Sequence, residues 1–376
     1  PRFVAVGLAA LAYFTGDGIL AAVLPRYVTG PLGAGTVAVG VVVGAFSVSA
    51  FVLRPLAGGM GDRWGRKPLL VAGAGVFSVS VLAYPIAPGP AVLALLRLLT
   101  GAGEALFFVG AVSAFLDLAP PARRGEAMSL ASLALYLGLG AGPALGEVTL
   151  ARLGFPATWA LAAAAGVAAA AIAARTPETR PPLPPERPRQ RLVHPAGLLP
   201  GLVLLASILG MAGFLAFVPL HAPAVGMGGA GLPLAVFSGV VVAIRSLGAR
   251  LPDRLGAARS TQLALLLSAV GSALIGAWPV RSGLLGGAVV LGVGVGLLTP
   301  AVFALAVEGA AAEERGVVIG TVSAFLDIAL GVGPVSLGLV AAQLGLSATF
   351  LTSAAVAAVG LVAVVVLRVG RPAATG

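Results

Sequence analysis

The sequence Gly58-Gly59-Met60-Gly61-Asp62-Arg63-Trp64-Gly65-Arg66-Lys67 separates two long apolar runs. Gly58 and Gly65 permit a tight turn, because glycine adopts backbone conformations closed to other residues. Asp62 can cap a helix start and pair with the nearby guanidinium of Arg66. The stretch therefore predicts a short charged loop between two neighbouring helices.

The rest of the chain is unusually apolar. Of its 376 residues, 59% are hydrophobic and 10% are charged, against roughly 25% charged residues in soluble domains. A bilayer-spanning helix needs about 20 apolar residues, so the sequence predicts an all-α membrane protein with twelve transmembrane helices. The predicted spans are 3–28, 36–58, 68–86, 90–119, 126–150, 155–174, 197–221, 231–251, 261–279, 282–308, 316–342 and 346–368.

The two halves of the chain repeat each other at an offset of 191 residues. Adding 191 to Arg54, Asp62, Arg63, Gly65, Asp117, Arg124, Gly125, Gly142 and Pro143 gives Arg245, Asp253, Arg254, Gly256, Glu308, Arg315, Gly316, Gly333 and Pro334. A duplicated unit predicts two pseudo-symmetric six-helix bundles that rock around a central cavity. We place them at residues 1–174 and 197–376, joined by a cytoplasmic Pro/Arg-rich linker at 175–196.

Charge placement predicts the orientation and excludes several classes of function. Arginines concentrate in alternate loops, which predicts two cytoplasmic termini. Lys67 is the sole lysine and Ala and Gly are abundant, which favours a bacterial source and therefore a bacterial inner membrane. The net charge of +10 is explained by these loops and not by nucleic-acid binding. The chain has no cysteine, and we find no catalytic triad, metal cluster or phosphate-binding loop. We therefore expect a monomeric protein in the lipid bilayer that is not an enzyme, with no cofactor beyond a coupling proton.

The opening stretch resembles the signature loop of the major facilitator superfamily, Gly-x-x-x-Asp-Arg-x-Gly-Arg-Lys. The match is complete at the charged and glycine positions. The resemblance implies two bundles held closed by a charged cytoplasmic gate, in which Asp117 is a partner for Arg66. The expected gate residues are Gly58, Asp62, Arg63, Gly65, Arg66, Asp117, Asp253, Arg254 and Glu308. The alternative is that the loop charges only set topology and solubility.

The fifth predicted helix carries Gly138-x-Gly140-x-Gly142-Pro143-x-x-Gly146, which is similar to a motif of the superfamily's antiporters. The pattern departs from that motif at Glu147, where the family has glycine; we expect Glu147 to be interfacial. Gly138, Gly142 and Gly146 form one small-residue stripe for close helix packing, with Pro143 as a kink. Both an antiport hinge and ordinary packing remain open.

Among the ionisable residues of the predicted spans we single out four at depth, where charge is costly and indicates function. Asp17 lies about 21 Å along the first helix and Arg97 about 10 Å along the fourth, so we expect them to interact at similar depth. Glu104 follows Arg97 by two turns, and Asp327 is the deep carboxylate of the second half. All four are candidates for proton coupling. Alternatively, Asp17 satisfies backbone between two glycines, and Asp327 pairs structurally with an arginine such as Arg245.

The expected substrate cavity includes aromatic side chains, although any of them can instead face lipid. They are Tyr13, Phe14, Phe108, Tyr136, Phe214 and Phe217. The resemblance and the acidic residues predict a secondary transporter with proton-coupled efflux (antiport) of a lipophilic or amphiphilic small molecule by alternating access. Uptake or exchange of a polar metabolite, such as a sugar or organic anion, is the alternative. A receptor or scaffold without transport is a third reading.

Overall fold

The computed structural model of the chain describes residues 2–120, 124–180, 193–247, 255–307 and 315–369. These residues form twelve long helices, as the apolar runs predict, and a short 3₁₀ turn at Tyr84–Ile86. The helices are α1 Arg2–Thr29, α2 Thr36–Trp64, α3 Arg66–Leu82, α4 Pro90–Leu118, α5 (residues 124–153), α6 (residues 155–175), α7 Pro195–Ala224, α8 Gly231–Leu247, α9 Ala257–Ala277, α10 Arg281–Val307, α11 Arg315–Leu344 and α12 Leu346–Val369.

Helices α5 and α6 are two arms of one helical segment, Arg124–Arg175, that breaks at Gly154. Gly154 has φ +76° and ψ −177°, an extended left-handed conformation that only glycine adopts easily. The hydroxyl of Thr158 donates to the carbonyl oxygen of Gly154 at 2.9 Å, in the first turn of α6. The break gives each arm a membrane-spanning length and reverses the chain between them.

Helix α2 runs further than the sequence predicts. It continues through Gly58, where an added Cβ would meet nothing within 4 Å, to Trp64. The prediction that Gly58 forms part of a tight turn is therefore wrong, because a helix residue needs no special backbone freedom. The turn into α3 depends on Gly65, whose φ is +103°.

Glycines of α5 bring it into close contact with α1. A Cβ on Gly142 would lie 2.4 Å from the carbonyl oxygen of Thr15, and one on Gly138 would lie 2.7 Å from the backbone of Phe14. Gly146 packs on Ile19 in the same way, with 3.2 Å to a built Cβ. The predicted small-residue stripe is thus a packing surface within the first half.

The two halves meet where α2 packs on α11 and where α5 packs on α8. We call the end of the bundle that carries Gly58–Lys67 the motif end, and the other the opposite end. Toward the opposite end, the Thr36 hydroxyl donates to the Gly338 carbonyl at 3.1 Å. A Cβ on Gly40 would lie 2.2 Å from the Pro334 carbonyl oxygen. Backbone therefore packs directly on backbone between the halves at the opposite end.

Candidate functional site

An ionic cluster lies between the halves. Arg54 of α2 pairs with Glu104 of α4, with 3.1 Å from Nη2 to Oε1, and with Asp327 of α11 through Nη1. The two carboxylate side chains are 6% exposed and the guanidinium side chain is 23% exposed. One arginine therefore holds a carboxylate from each half.

The cluster sits deep in the helical bundle. Asp327 lies twelve residues from the start of α11 at Arg315, about 18 Å along the helix axis. The Arg54 guanidinium also stacks on the Phe108 ring, 4.8 Å from its centroid. Buried ionisable groups at membrane depth persist when they pair with each other, and they mark ion or substrate pathways. The cluster is the strongest candidate site among the described residues.

Arg54 is the member of this cluster that sequence reasoning did not select. Glu104, Asp327 and Phe108 were predicted site residues, and the structure brings them together around it. The alternative prediction that Asp327 pairs with an arginine agrees with the structure, but the partner is Arg54 and not Arg245, the example named. The repeat contained the signal: Arg54 matches Arg245 at the common offset, so each half carries an arginine at the same depth.

Asp17 and Arg97 interact through their charges, without direct contact between the two side chains. Among the described residues, no hydrogen bond or ion pair joins the two side chains. Arg97 is buried over the Phe46 ring, with its Cζ 4.5 Å from the centroid and its Nη1 3.5 Å from the Tyr84 hydroxyl. Equal depth along two helices does not fix which way each side chain points around its helix. Asp17 remains a partly buried carboxylate on α1.

A second charged cluster lies at the motif end. Arg66 bonds Asp62 at 3.0 Å through Nη1 and Asp117 at 2.9 Å through Nε. The predicted Arg66–Asp117 contact is therefore confirmed. All three residues belong to α2, α3 and α4, so their contacts hold the first half together and do not join the two bundles. Arg63 is exposed at the end of α2.

The second copy of the gate, predicted at Asp253, Arg254 and Glu308, lies outside the described residues. The comparison of two symmetric gates therefore rests on the sequence repeat. What the structure describes at the motif end is the cluster of the first half.

The start of α3 is capped by Glu178, which follows α6. Its carboxylate accepts hydrogen bonds from the backbone N–H groups of Arg66 at 2.8 Å and Lys67 at 3.1 Å. A Cβ on Gly65 would lie 2.2 Å from a Glu178 carboxylate oxygen and would displace that carboxylate from its capping position, while the positive φ itself favours glycine. The prediction that Asp62 caps a helix start is wrong, since Asp62 lies in the last turn of α2.

The environment of Glu178 favours its ionised form. Burial raises the pKa of Glu178, but four backbone N–H groups outweigh it and hold the pKa below the usual 4.5. Beside it, the Arg180 guanidinium donates to the carbonyl oxygens of Asp62, at 3.2 Å, and of Arg63. We call residues 178–180 the strap, because they tie the chain after α6 to the loop between α2 and α3.

The second half places Arg245 of α8 against α5 of the first half. Its Nη2 lies 3.4 Å from the Tyr136 hydroxyl and 3.1 Å from the Thr299 hydroxyl, and its Cζ is 4.7 Å from the centre of the Tyr136 ring. Tyr136 is thus one of two predicted aromatic residues that flank a partly buried arginine; Phe108 is the other.

The remaining predicted cavity aromatics lie in the packed core. Tyr13 is 0% exposed and stacks on Phe107 with 4.1 Å between ring centroids. Phe14 packs edge-on against Tyr13, and Phe214 packs on Phe237 with centroids 5.1 Å apart. Phe217 is also 0% exposed. The prediction that these four line a cavity does not hold in this conformation, because each fills space between helices.

Comparison with known proteins agrees with this architecture. The family model of the Major Facilitator Superfamily matches residues 6–281 and 201–376. An uncharacterized MFS-type transporter of Salmonella typhimurium (strain LT2) is 29% identical over 354 residues, which cover 91% of this chain and 90% of the relative.

Solved structures share the fold at lower sequence identity. The crystal structure of the human organic anion transporter MFSD10 (TETRAN) has a TM-score of 0.72 and 19% identity, covering 96% of this chain and 98% of that chain. A POT family transporter in complex with a thioalcohol conjugated peptide has a TM-score of 0.81 and 12% identity, covering 97% and 96%. The chain is therefore a multi-pass membrane transporter that belongs to the Major Facilitator Superfamily, and it is not an enzyme.

Proposed function

We propose that this transporter is a proton-coupled antiporter that exports a lipophilic or amphiphilic small molecule by alternating access. The observation that carries the proposal is the sharing of Arg54 by two buried carboxylates from opposite halves. Asp327 belongs to the second half, whereas Arg54 and Glu104 belong to the first. A link of this kind depends both on the protonation of its members and on the relative position of the halves.

The charges explain how a proton can drive movement. With both carboxylates ionised, the cluster of Arg54, Glu104 and Asp327 carries a net charge of −1, and one bound proton makes it neutral. A proton on Asp327 removes the charge that attracts Arg54 across the interface, while Arg54 keeps Glu104 as its partner. The tie between α2 and α11 is thereby weakened without leaving a buried guanidinium unpaired, which would be strongly destabilising.

Asp17 is a third carboxylate that supports coupling. It is partly buried in α1 between Gly16 and Gly18, in the helix that packs on the small-residue stripe of α5. A movement of α5 against α1 changes the surroundings of Asp17. We assign Arg97 to the support of this region through Phe46 and not to a direct pair with Asp17.

The charge distribution supports the orientation. Arg63, Arg66 and Lys67 lie at the motif end, while the helix termini at the opposite end carry Arg26, Arg152 and Arg281. Because Lys and Arg concentrate in cytoplasmic loops, we assign the motif end and both termini to the cytoplasm of a bacterial cell. The chain would then act as a monomer in the inner membrane, closed in this conformation toward the outside.

A second candidate is uptake or exchange of a polar metabolite, such as an organic anion. It is favoured by Arg245, which has neutral partners among the described residues. The direction of proton movement separates the candidates: export in exchange for protons moves protons against the substrate, whereas proton-coupled uptake moves the two together.

The test uses purified protein in liposomes that contain a pH-sensitive dye. Lipophilic cations, sugars and organic acids are added in turn to wild type, Asp327→Asn and Glu178→Gln. We expect substrate-dependent proton movement in wild type, its loss in Asp327→Asn, and its retention in Glu178→Gln, whose carboxylate is exposed and remote from the cluster. Substrate flux without proton movement, equal in wild type and Asp327→Asn, would contradict the coupling role.

Asp17→Asn in the same assay measures the contribution of Asp17, the carboxylate outside the Arg54 cluster. Loss of proton movement with retained substrate binding would place Asp17 in the proton path. Unchanged proton movement would leave the Arg54 cluster as the coupling site and give Asp17 a structural role beside the two glycines.

A further inference from the structure

The Arg54 cluster has a counterpart across the pseudo-twofold axis. Adding 191 to Arg54 gives Arg245, and subtracting 191 from Asp327 gives Tyr136. The contact is repeated along with the residues: Arg54 meets Asp327 of α11, and Arg245 meets Tyr136 of α5. The same contact between halves is therefore made twice, once with a carboxylate and once with a phenol.

The counterpart has lost both negative charges. The position that corresponds to Glu104 is Val295, a fully buried residue of α10. The partners of Arg245 are the neutral hydroxyls of Tyr136 and Thr299, and its Nε is buried without a hydrogen-bond partner. Within the part of the chain that the structure describes, no carboxylate lies within ion-pair distance of Arg245.

The surroundings of Arg245 suit the binding of an anion. A cation deep in the membrane is unfavourable without a compensating charge. The planar guanidinium presents a fork of donors that fits the oxygens of a carboxylate, sulfonate or phosphate group. Tyr136 and Thr299 add two hydroxyls that can turn to donate to the same anion. All three side chains are partly exposed.

We propose that Arg245, Tyr136 and Thr299 bind the oxyanion group of an amphiphilic substrate. The substrate anion pairs with Arg245 as Asp327 pairs with Arg54. With substrate bound, the arginine of each half therefore has an anionic partner. This inference adds a substrate class, amphiphilic anions, to the proposed transport function, and it rests on that proposed function. Proton binding and substrate binding are then assigned to two symmetric sites, which keeps them separate.

Binding to the purified full chain in lipid nanodiscs tests the site without a proton gradient. The probes are phenylbutyrate, its neutral amide and the matching amine, measured by isothermal titration calorimetry. Wild type is expected to bind the carboxylate about tenfold to a hundredfold more tightly than the amide, as charge-assisted hydrogen bonds allow. Arg245→Gln is expected to remove that preference, and Arg245→Lys to restore part of it.

Two further variants keep the test decisive. Arg152→Gln, an exposed arginine in α5, is expected to retain the preference of wild type. Tyr136→Phe is expected to weaken carboxylate binding about threefold and leave amide binding unchanged, and it serves if Arg245→Gln does not fold. Equal binding of the three probes to wild type, no binding of any, or an unchanged preference in Arg245→Gln would overturn the proposal.

The outcome is separable from that of the transport proposal. Anion preference that depends on Arg245, in a protein whose Asp327→Asn variant still moves protons, would support the binding site and reject the coupling site. Proton movement that depends on Asp327, with no anion preference, would do the reverse.

Discussion

Replacing Gly40 by alanine tests whether the contact of α2 with α11 controls closure of the opposite end. The added Cβ would lie 2.2 Å from the Pro334 carbonyl oxygen and 3.0 Å from the Val335 Cα. The first distance must grow from 2.2 Å to about 3.4 Å, so the helices must separate by about 1.2 Å. Overpacking of this kind costs roughly 1–3 kcal/mol. The closed population should then fall about 5- to 140-fold relative to the open one, at about 1.4 kcal/mol per tenfold.

The absence of cysteine from the sequence makes a clean distance measurement possible. Spin labels on Pro31→Cys and Gln343→Cys, two exposed positions in different halves at the opposite end, report separation by double electron–electron resonance. Gly40→Ala should shift the distance distribution to longer values. Gly58→Ala, on the same helix with nothing within 4 Å of the new Cβ, should match the parent. A folded Gly40→Ala protein with the parent distribution would refute the reasoning.

Three further predictions concern packing and capping in the first half. Gly65→Ala should lower the thermal unfolding temperature, because φ is +103° and the new Cβ meets Glu178 at 2.2 Å; the open position Gly59→Ala is its control, and equal temperatures would count against the strap. Glu178→Gln should be less stable than wild type at neutral pH. Since folding lowers the pKa of Glu178, this difference should persist above pH 4.5 and shrink as pH falls below it; a constant difference in denaturation midpoint would reject the cap. Gly101→Ala should sharply reduce the monodisperse fraction in size-exclusion chromatography, since its Cβ would lie 2.0 Å from the Phe46 carbonyl oxygen; a normal yield would show that α2 and α4 can separate.

The sequence was most informative where one physical constraint acts along the chain. Membrane thickness fixes the length of apolar runs, so the twelve helices follow from hydropathy and breaks. The sequence motif also predicts two features of the loop correctly: Gly65 forms the turn, and Arg66 pairs with Asp117. The end of α2 was placed too early because Gly58 looks like a turn residue in sequence but lies on an open helix face.

The contacts of the candidate site depend on how the helices pack in three dimensions. Depth can be counted along a helix, but rotation about the helix axis depends on packing, which is why the sequence predicts that Asp17 and Arg97 interact but not whether their side chains touch. Arg54 and Asp327 are 273 residues apart and meet across two halves of the fold. In the sequence, only the repeat points to this contact, because it places Asp327 and Tyr136 at equivalent positions. The repeat does not show that Arg54 is the partner of Asp327.

The strap has a consequence for biosynthesis. Glu178 and Arg180 close the first half with residues that leave the ribosome directly after α6, and their contacts join positions 111 to 118 residues upstream. Domains fold largely in order during synthesis, so the first half can complete its own contacts before α11 exists. During that interval Arg54 already has Glu104 of the same half as its counter-charge. Glu104 thus neutralises the charge of Arg54 in the nascent first half until α11, which carries Asp327, has been synthesised.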